Sequence, residues 1–241
     1  MLTYIVVWIV IVFAIFLCFA LAVASFSFDN YADNLKKTNQ YKNSYGISTL
    51  DYVGAINKKY FQSRLQVMTC PEYQDHYSAG IVALSQKTMA SNSLASLAIV
   101  SHELGHAKQD ASGTKLKKHW KMRRAGKICG FFFLPVVLVG AVLSLLQVFG
   151  VLEEMVYLIV GLVCLGLGLL IFIFAIFLKY KEIQIEKEAS VFALDFLREF
   201  LTEEEVKKCK EFLDSARLTY WASLFRSMFG WTFLTKKDRM F

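Results

Sequence analysis

Long charge-free stretches alternate with polar ones along this chain, and the polar ones carry the periodicities of helices and short strands. Residues 2–28, 128–152 and 155–178 contain no Asp, Glu, Lys or Arg. Each run exceeds the ~20 apolar residues that a helix needs to cross a hydrocarbon core. The pattern predicts transmembrane helices over all three. Ala22-Val23-Ala24 resembles a signal-peptide cleavage site, but no basic residue precedes the first run. That run is also longer than the usual ~7–15 residues of a signal core, so it reads as a retained anchor. Pro135, near the start of the second run, is tolerated in a membrane helix.

The polar segment 29–127 breaks into shorter elements. Ser48 is placed to cap a helix, with Asp51 three positions on in a capping-box-like role. Residues 65–70 and 80–85 are short apolar or β-branched runs. Pro71, Glu72, Asp75 and Ser78 separate them, which predicts a β-hairpin with a longish loop. A helix is expected from residues 91–93 to about 112, with Gly113 as its stop. After the third apolar run, one helix should cover about 179–201. Thr202 then caps another, with Glu205 at its third position, leading through Val206 and Phe212 towards Leu224. No internal repeat or low-complexity tract interrupts this order.

Composition agrees with the pattern. A hydrophobic content of 56% with two prolines is too apolar for an ordinary soluble domain. Cys18, Cys70, Cys129, Cys164 and Cys209 show no CxxC spacing and read as unpaired thiols in a reducing compartment. Of the net charge of +7, Lys115, Lys117, Lys118, Lys121, Arg123, Arg124 and Lys127 crowd the stretch before the second span. The connector between spans two and three offers only Glu153 and Glu154, and Lys179 and Lys181 follow span three. The positive-inside rule then puts the N-terminus outside and residues 29–127 and 179–241 in the cytoplasm. The basic stretch lacks aromatic platforms or a nucleic-acid motif, and contact with anionic lipid headgroups explains it more simply. No span carries an Asp, Glu, Lys, Arg or His in its interior, so an ion pathway has no support.

The chemistry concentrates at His102-Glu103-Leu104-Gly105-His106. On a helix, positions i and i+4 share a face, so His102 and His106 can clamp one Zn²⁺ while Glu103 polarises its water. The apolar face behind them runs through Ile99, Ala98 and Ala95; Lys108 should point away from the metal. Gln109 and Ser112 rule out the HExxHxxGxxH variant, so a third ligand must come from farther away. Glu182, Glu186 and Glu188 are the candidates. Glu186 shares its helix face with Ala189, Ala193 and Leu197, whereas Glu188 shares a largely polar face with Phe192, Asp195 and Glu199. Glu182 shares the Glu186 face one turn nearer the membrane. Glu186 is therefore the expected ligand, and the outward hairpin of spans two and three returns it to the side of the two histidines.

The chain resembles the YugP-like membrane-bound neutral zinc metallopeptidases from its first span to its C-terminal helix. The resemblance is carried by Asp75-His76-Tyr77, the 81–85 strand, the 102–107 motif, Glu186 with Ala189-Ser190, and Leu218-Thr219-Tyr220. It departs at Lys108, where an apolar residue is usual, and at Ser78, where Asp is usual, which touches the substrate-side loop and not the metal site. The resemblance implies a gluzincin-like peptidase of a bacterial plasma membrane. Its expected fold is a mainly α integral membrane protein of about three transmembrane helices with a small α+β zincin-like cytoplasmic domain. The expected reaction is hydrolysis of a protein or peptide by a zinc-activated water, with Glu103 as general base and His102, His106 and Glu186 as ligands. His76 and Tyr220 could donate to the oxyanion, and the 80–85 strand could align an extended substrate. The alternative is a non-catalytic scaffold or adaptor that zinc staples together.

Overall fold

The computed structural model describes residues 2–229 apart from 73 and 114. Residues 230–241, the end of the expected C-terminal helical segment, lie outside the described residues. In chain order the elements are α1 (Leu2–Gln40), α2 (Thr49–Phe61), β1 (Gln66–Cys70), β2 (His76–Ser78), β3 (Ile81–Ser85) and α3 (Gln86–Ala90). They continue with α4 (Leu94–Ala111), α5 (Lys115–Val148), α6 (Met155–Leu197) and α7 (Glu203–Phe229). The chain divides into two compact units. One gathers Lys121–Glu182 with the described parts of Met1–Phe26 and Tyr220–Phe233; the other is built from Ser27–Trp120 and Ile183–Thr219.

Two helical stretches, His119–Val148 of α5 and Met155–Leu197 of α6, are long and apolar enough to cross a membrane, and the first unit holds the larger part of each. The first apolar run, 2–28, is helical as the opening of α1. The outward positions of the α5 and α6 runs, such as Phe131, Leu138, Ile159, Leu170 and Phe174, are exposed. Their facing sides are small. A Cβ added at Gly140 would stand 2.8 Å from the carbonyl oxygen of Gly161, and one at Gly161 would overlap the Ser144 hydroxyl. Small residues let apolar helices approach closely where no hydrophobic drive separates helix from lipid.

The second unit packs α2 and α4 with the 183–197 part of α6 and the start of α7 around Tyr52, Ile56, Leu84, Leu97, Leu104, Phe196 and Phe212. Its helix starts follow local capping. Ser48 caps α2, accepting from the Asp51 amide at 3.1 Å and donating to the Asp51 carboxylate at 2.6 Å. Thr202 and Glu205 cap α7 reciprocally: the Thr202 amide donates to Glu205 at 2.9 Å and the Glu205 amide to the Thr202 hydroxyl at 3.4 Å.

The sheet differs from expectation. Strand order is β1-β3-β2, with β1 parallel to β3 (Gln66↔Ile81 to Cys70↔Ser85) and β2 antiparallel to it (His76↔Ala83 to Ser78↔Ile81). The hairpin is therefore β2–β3; the 65–70 and 80–85 runs do pair, but in parallel and not as a hairpin. Its two-residue turn places Ala79 and Gly80 at φ +46° and +86°, the primed-turn conformation that matches strand twist. With β2 holding the antiparallel position, β1 takes the other edge and runs parallel. Asp75 ties down the crossover, accepting from the Ser85 amide at 2.6 Å and the Thr88 hydroxyl at 2.8 Å. A second correction follows: β3 is paired on both sides and has no free edge for substrate.

Candidate metal centre

The helix carrying the histidines begins and ends where the sequence places it. Ser93 caps α4 through the Ser96 amide, and the helix stops at Ser112 ahead of Gly113, whose φ is +116°. Ala95, Ala98, Leu104 and Ala107 are buried, so the helix is held from behind and cannot rotate His102 and His106 away. Glu186 comes from α6 and is 3% exposed.

These three side chains meet. Glu186 Oε2 lies 3.0 Å from His102 Nε2 and 3.3 Å from His106 Nε2. The surrounding hydrogen bonds assign the imidazole tautomers. Ser190 donates its hydroxyl hydrogen to the Glu186 carbonyl at 3.0 Å, so its oxygen accepts from His102 Nδ1–H at 3.1 Å. Gln109 spends its amide hydrogens on the Ile185 carbonyl (2.8 Å) and Glu188 (3.0 Å), so its oxygen accepts from His106 Nδ1–H at 2.9 Å. Both Nε2 atoms consequently face the Glu186 oxygen, through an N–H when the ring is protonated and a lone pair when it is neutral. Positive charge between these groups, a proton or a metal ion, draws them together, and two imidazoles with a carboxylate are an ordinary zinc donor set. The residues fit the metal.

Electrostatics point the same way. Burial opposes charge on His106, yet its hydrogen bond to Glu186 and the nearby negative charge outweigh burial and raise its pKa to about 9. Burial would likewise raise the Glu186 pKa, but the two histidines hold this carboxyl well below its usual range. The site attracts positive charge in the place where a metal would lie.

Glu103 projects beside this cluster and is anchored from the sheet: the Tyr77 amide of β2 donates to its Oε2 at 2.7 Å. Tyr77 is itself fixed, its hydroxyl donating to Asp110 at 2.8 Å and accepting from the Gly80 amide at 2.8 Å. Burial, then the bond to Asp110, push this phenol up to about 12, so it remains a donor. Gly105 makes the geometry possible, because a Cβ there would overlap the carbonyl oxygen of Ala189 on α6. Lys108 points elsewhere, its ammonium 4.4 Å from the centre of the Phe192 ring.

The structure thus brings His102, Glu103, His106 and Glu186 together. His76 is exposed on β2, with Nδ1 at 2.7 Å from the Gln74 carbonyl. Tyr220 falls in the other unit, where the Lys179 ammonium lies over its ring at 5.5 Å. Glu182 is buried and accepts from Lys179 at 2.8 Å. Sequence reasoning missed Gln109, Ser190 and His119. Gln109 was open to discovery, since it stands one turn after His106 on the same face. His119, with Nε2 at 3.5 Å from Glu186 Oε1, sits in a basic run that gives no such signal.

No curated protein and no solved structure matches the chain. A family model described as putative neutral zinc metallopeptidase matches residues 6–234. That span covers nearly the whole sequence, histidine motif and Glu186 included, and the chain belongs to this metallopeptidase family.

Proposed function

We propose that this protein is a membrane-anchored zinc endopeptidase whose metal is held by His102, His106 and Glu186. The observation that carries the reading is the convergence of the two Nε2 atoms on Glu186 Oε2, with each opposite ring nitrogen already engaged by Ser190 or Gln109. Zinc, when bound, supplies a Lewis acid that polarises the scissile carbonyl and lowers the pKa of water. Glu103 takes the proton from the attacking water and delivers it to the leaving amine. The Tyr77 amide keeps that carboxylate aimed at the cluster. β1 and β2 are the outer strands, so substrate alignment passes from β3 to β2, whose backbone already reaches the general base. A scaffold stapled by zinc would have no use for a carboxylate held in this way.

Membrane anchoring rests on the two long apolar helices, with residues 2–28 as a third span and the metal site on the cytoplasmic side by charge asymmetry. The test is purified full-length protein incubated with a mixed peptide library. Wild type should bind zinc and cleave, and Glu103→Gln should keep zinc and lose cleavage by about 10²-fold or more. Full cleavage by that variant would remove Glu103 from the mechanism.

A further inference from the structure

Glu186 has two carboxylate oxygens, and the ligand assignment uses one. Oε2 faces His102 and His106; Oε1 faces His119 Nε2 at 3.5 Å. His119 comes from α5, is 3% exposed, and lies with its ring 6.0 Å from that of His106 and 5.9 Å from that of Trp120. A polar ring is rarely buried this deeply without a task, because its desolvation must be offset by a directed interaction. We propose that His119 is a positioning residue that holds the outer oxygen of Glu186, so that the carboxylate meets the metal through Oε2 alone. The inference rests on reading His102, His106 and Glu186 as the ligands.

The geometry assigns the role by side. His119 addresses the carboxylate from the oxygen opposite the two histidines. A Glu fixed at both oxygens cannot swing to a two-oxygen grip that would crowd the open coordination position. Partners of this kind, one bond removed from the metal, typically carry about 10–100-fold in metal affinity.

The experiment compares wild type, His119→Gln and His119→Leu as full-length detergent-purified proteins. Zinc affinity is read by chelator competition and coordination by the visible spectrum of the Co²⁺-substituted protein. Wild type should bind one metal. His119→Leu fills the space without a donor and should bind about 10–100-fold more weakly with an altered Co²⁺ spectrum. His119→Gln keeps an N–H donor and should retain the wild-type spectrum and most of the affinity. Wild-type affinity and spectrum in His119→Leu would overturn the proposal, as would equal losses in both variants. If His119→Leu does not fold, the spectrum of His119→Gln decides: unchanged supports the proposal, altered overturns it. Failure of wild type to bind metal would instead overturn the ligand reading and this inference with it.

Discussion

Gly105 lies against Ala189 so closely that a Cβ at position 105 would overlap the Ala189 carbonyl oxygen and stand 2.9 Å from its carbonyl carbon. The contact joins the helix of the two histidines to the helix of Glu186, one residue before His106 and three after Glu186. The obstacle is backbone, which cannot rotate out of the way as a side chain would. Gly105→Ala should separate the two helices, cost about 1–3 kcal/mol of stability, and weaken zinc binding more than that cost alone accounts for. Thermal unfolding of the apo-protein and chelator competition check the two effects separately. An unchanged zinc affinity would show that the helix approach does not set the ligand geometry.

Gln109 and Ser190 orient the imidazoles without touching the metal position themselves. Gln109→Ala and Ser190→Ala should each leave the apo-fold cooperative and reduce zinc affinity about 10–100-fold. Gln109→Ala should be the more damaging, because it also releases the Ile185 carbonyl and Glu188. Metal titration followed by circular dichroism separates loss of affinity from loss of fold.

Much of this centre is legible in the sequence because its determinants are local. The i, i+4 spacing puts His102 and His106 on one face, and the Ala189, Ala193 and Leu197 stripe turns Glu186 inward, where it is found buried. The caps at Ser48, Ser93 and Thr202 likewise follow from three-residue patterns. The sheet register is not local. Whether β1 meets β3 in parallel depends on a left-handed backbone at Ala79, which has no glycine to announce it, and on Asp75 reaching across to Ser85 and Thr88. Lys108, an unusual residue beside the motif, is absorbed by stacking over Phe192 and Phe196, a contact that only packing reveals.

Glu205 gives the fold a pH dependence of its own. Its two oxygens accept from the amide and hydroxyl of both Ser44 and Thr202, at 2.7–2.9 Å. Burial works against ionisation here, but these donors outweigh it and hold the carboxyl below its ordinary value of 4.5. A depressed folded-state pKa contributes stability that is present above the unfolded value and is lost as pH falls through the folded one. Wild type should therefore exceed Glu205→Gln by about 1–3 kcal/mol near neutrality, and the gap should close as pH drops below the usual carboxylate range. Chemical denaturation of both proteins across that range measures the gap; a difference that persists undiminished in acid would contradict the assignment.

The proposed function stands or falls on whether the three side chains converging from α4 and α6 hold one zinc ion. Metal content of the purified full-length protein, measured beside His106→Ala and Glu186→Ala, tests it most directly. Wild type should carry one zinc per chain, and both variants should lose it while Glu103→Gln retains it. Zinc content in Glu186→Ala equal to wild type would contradict the claim.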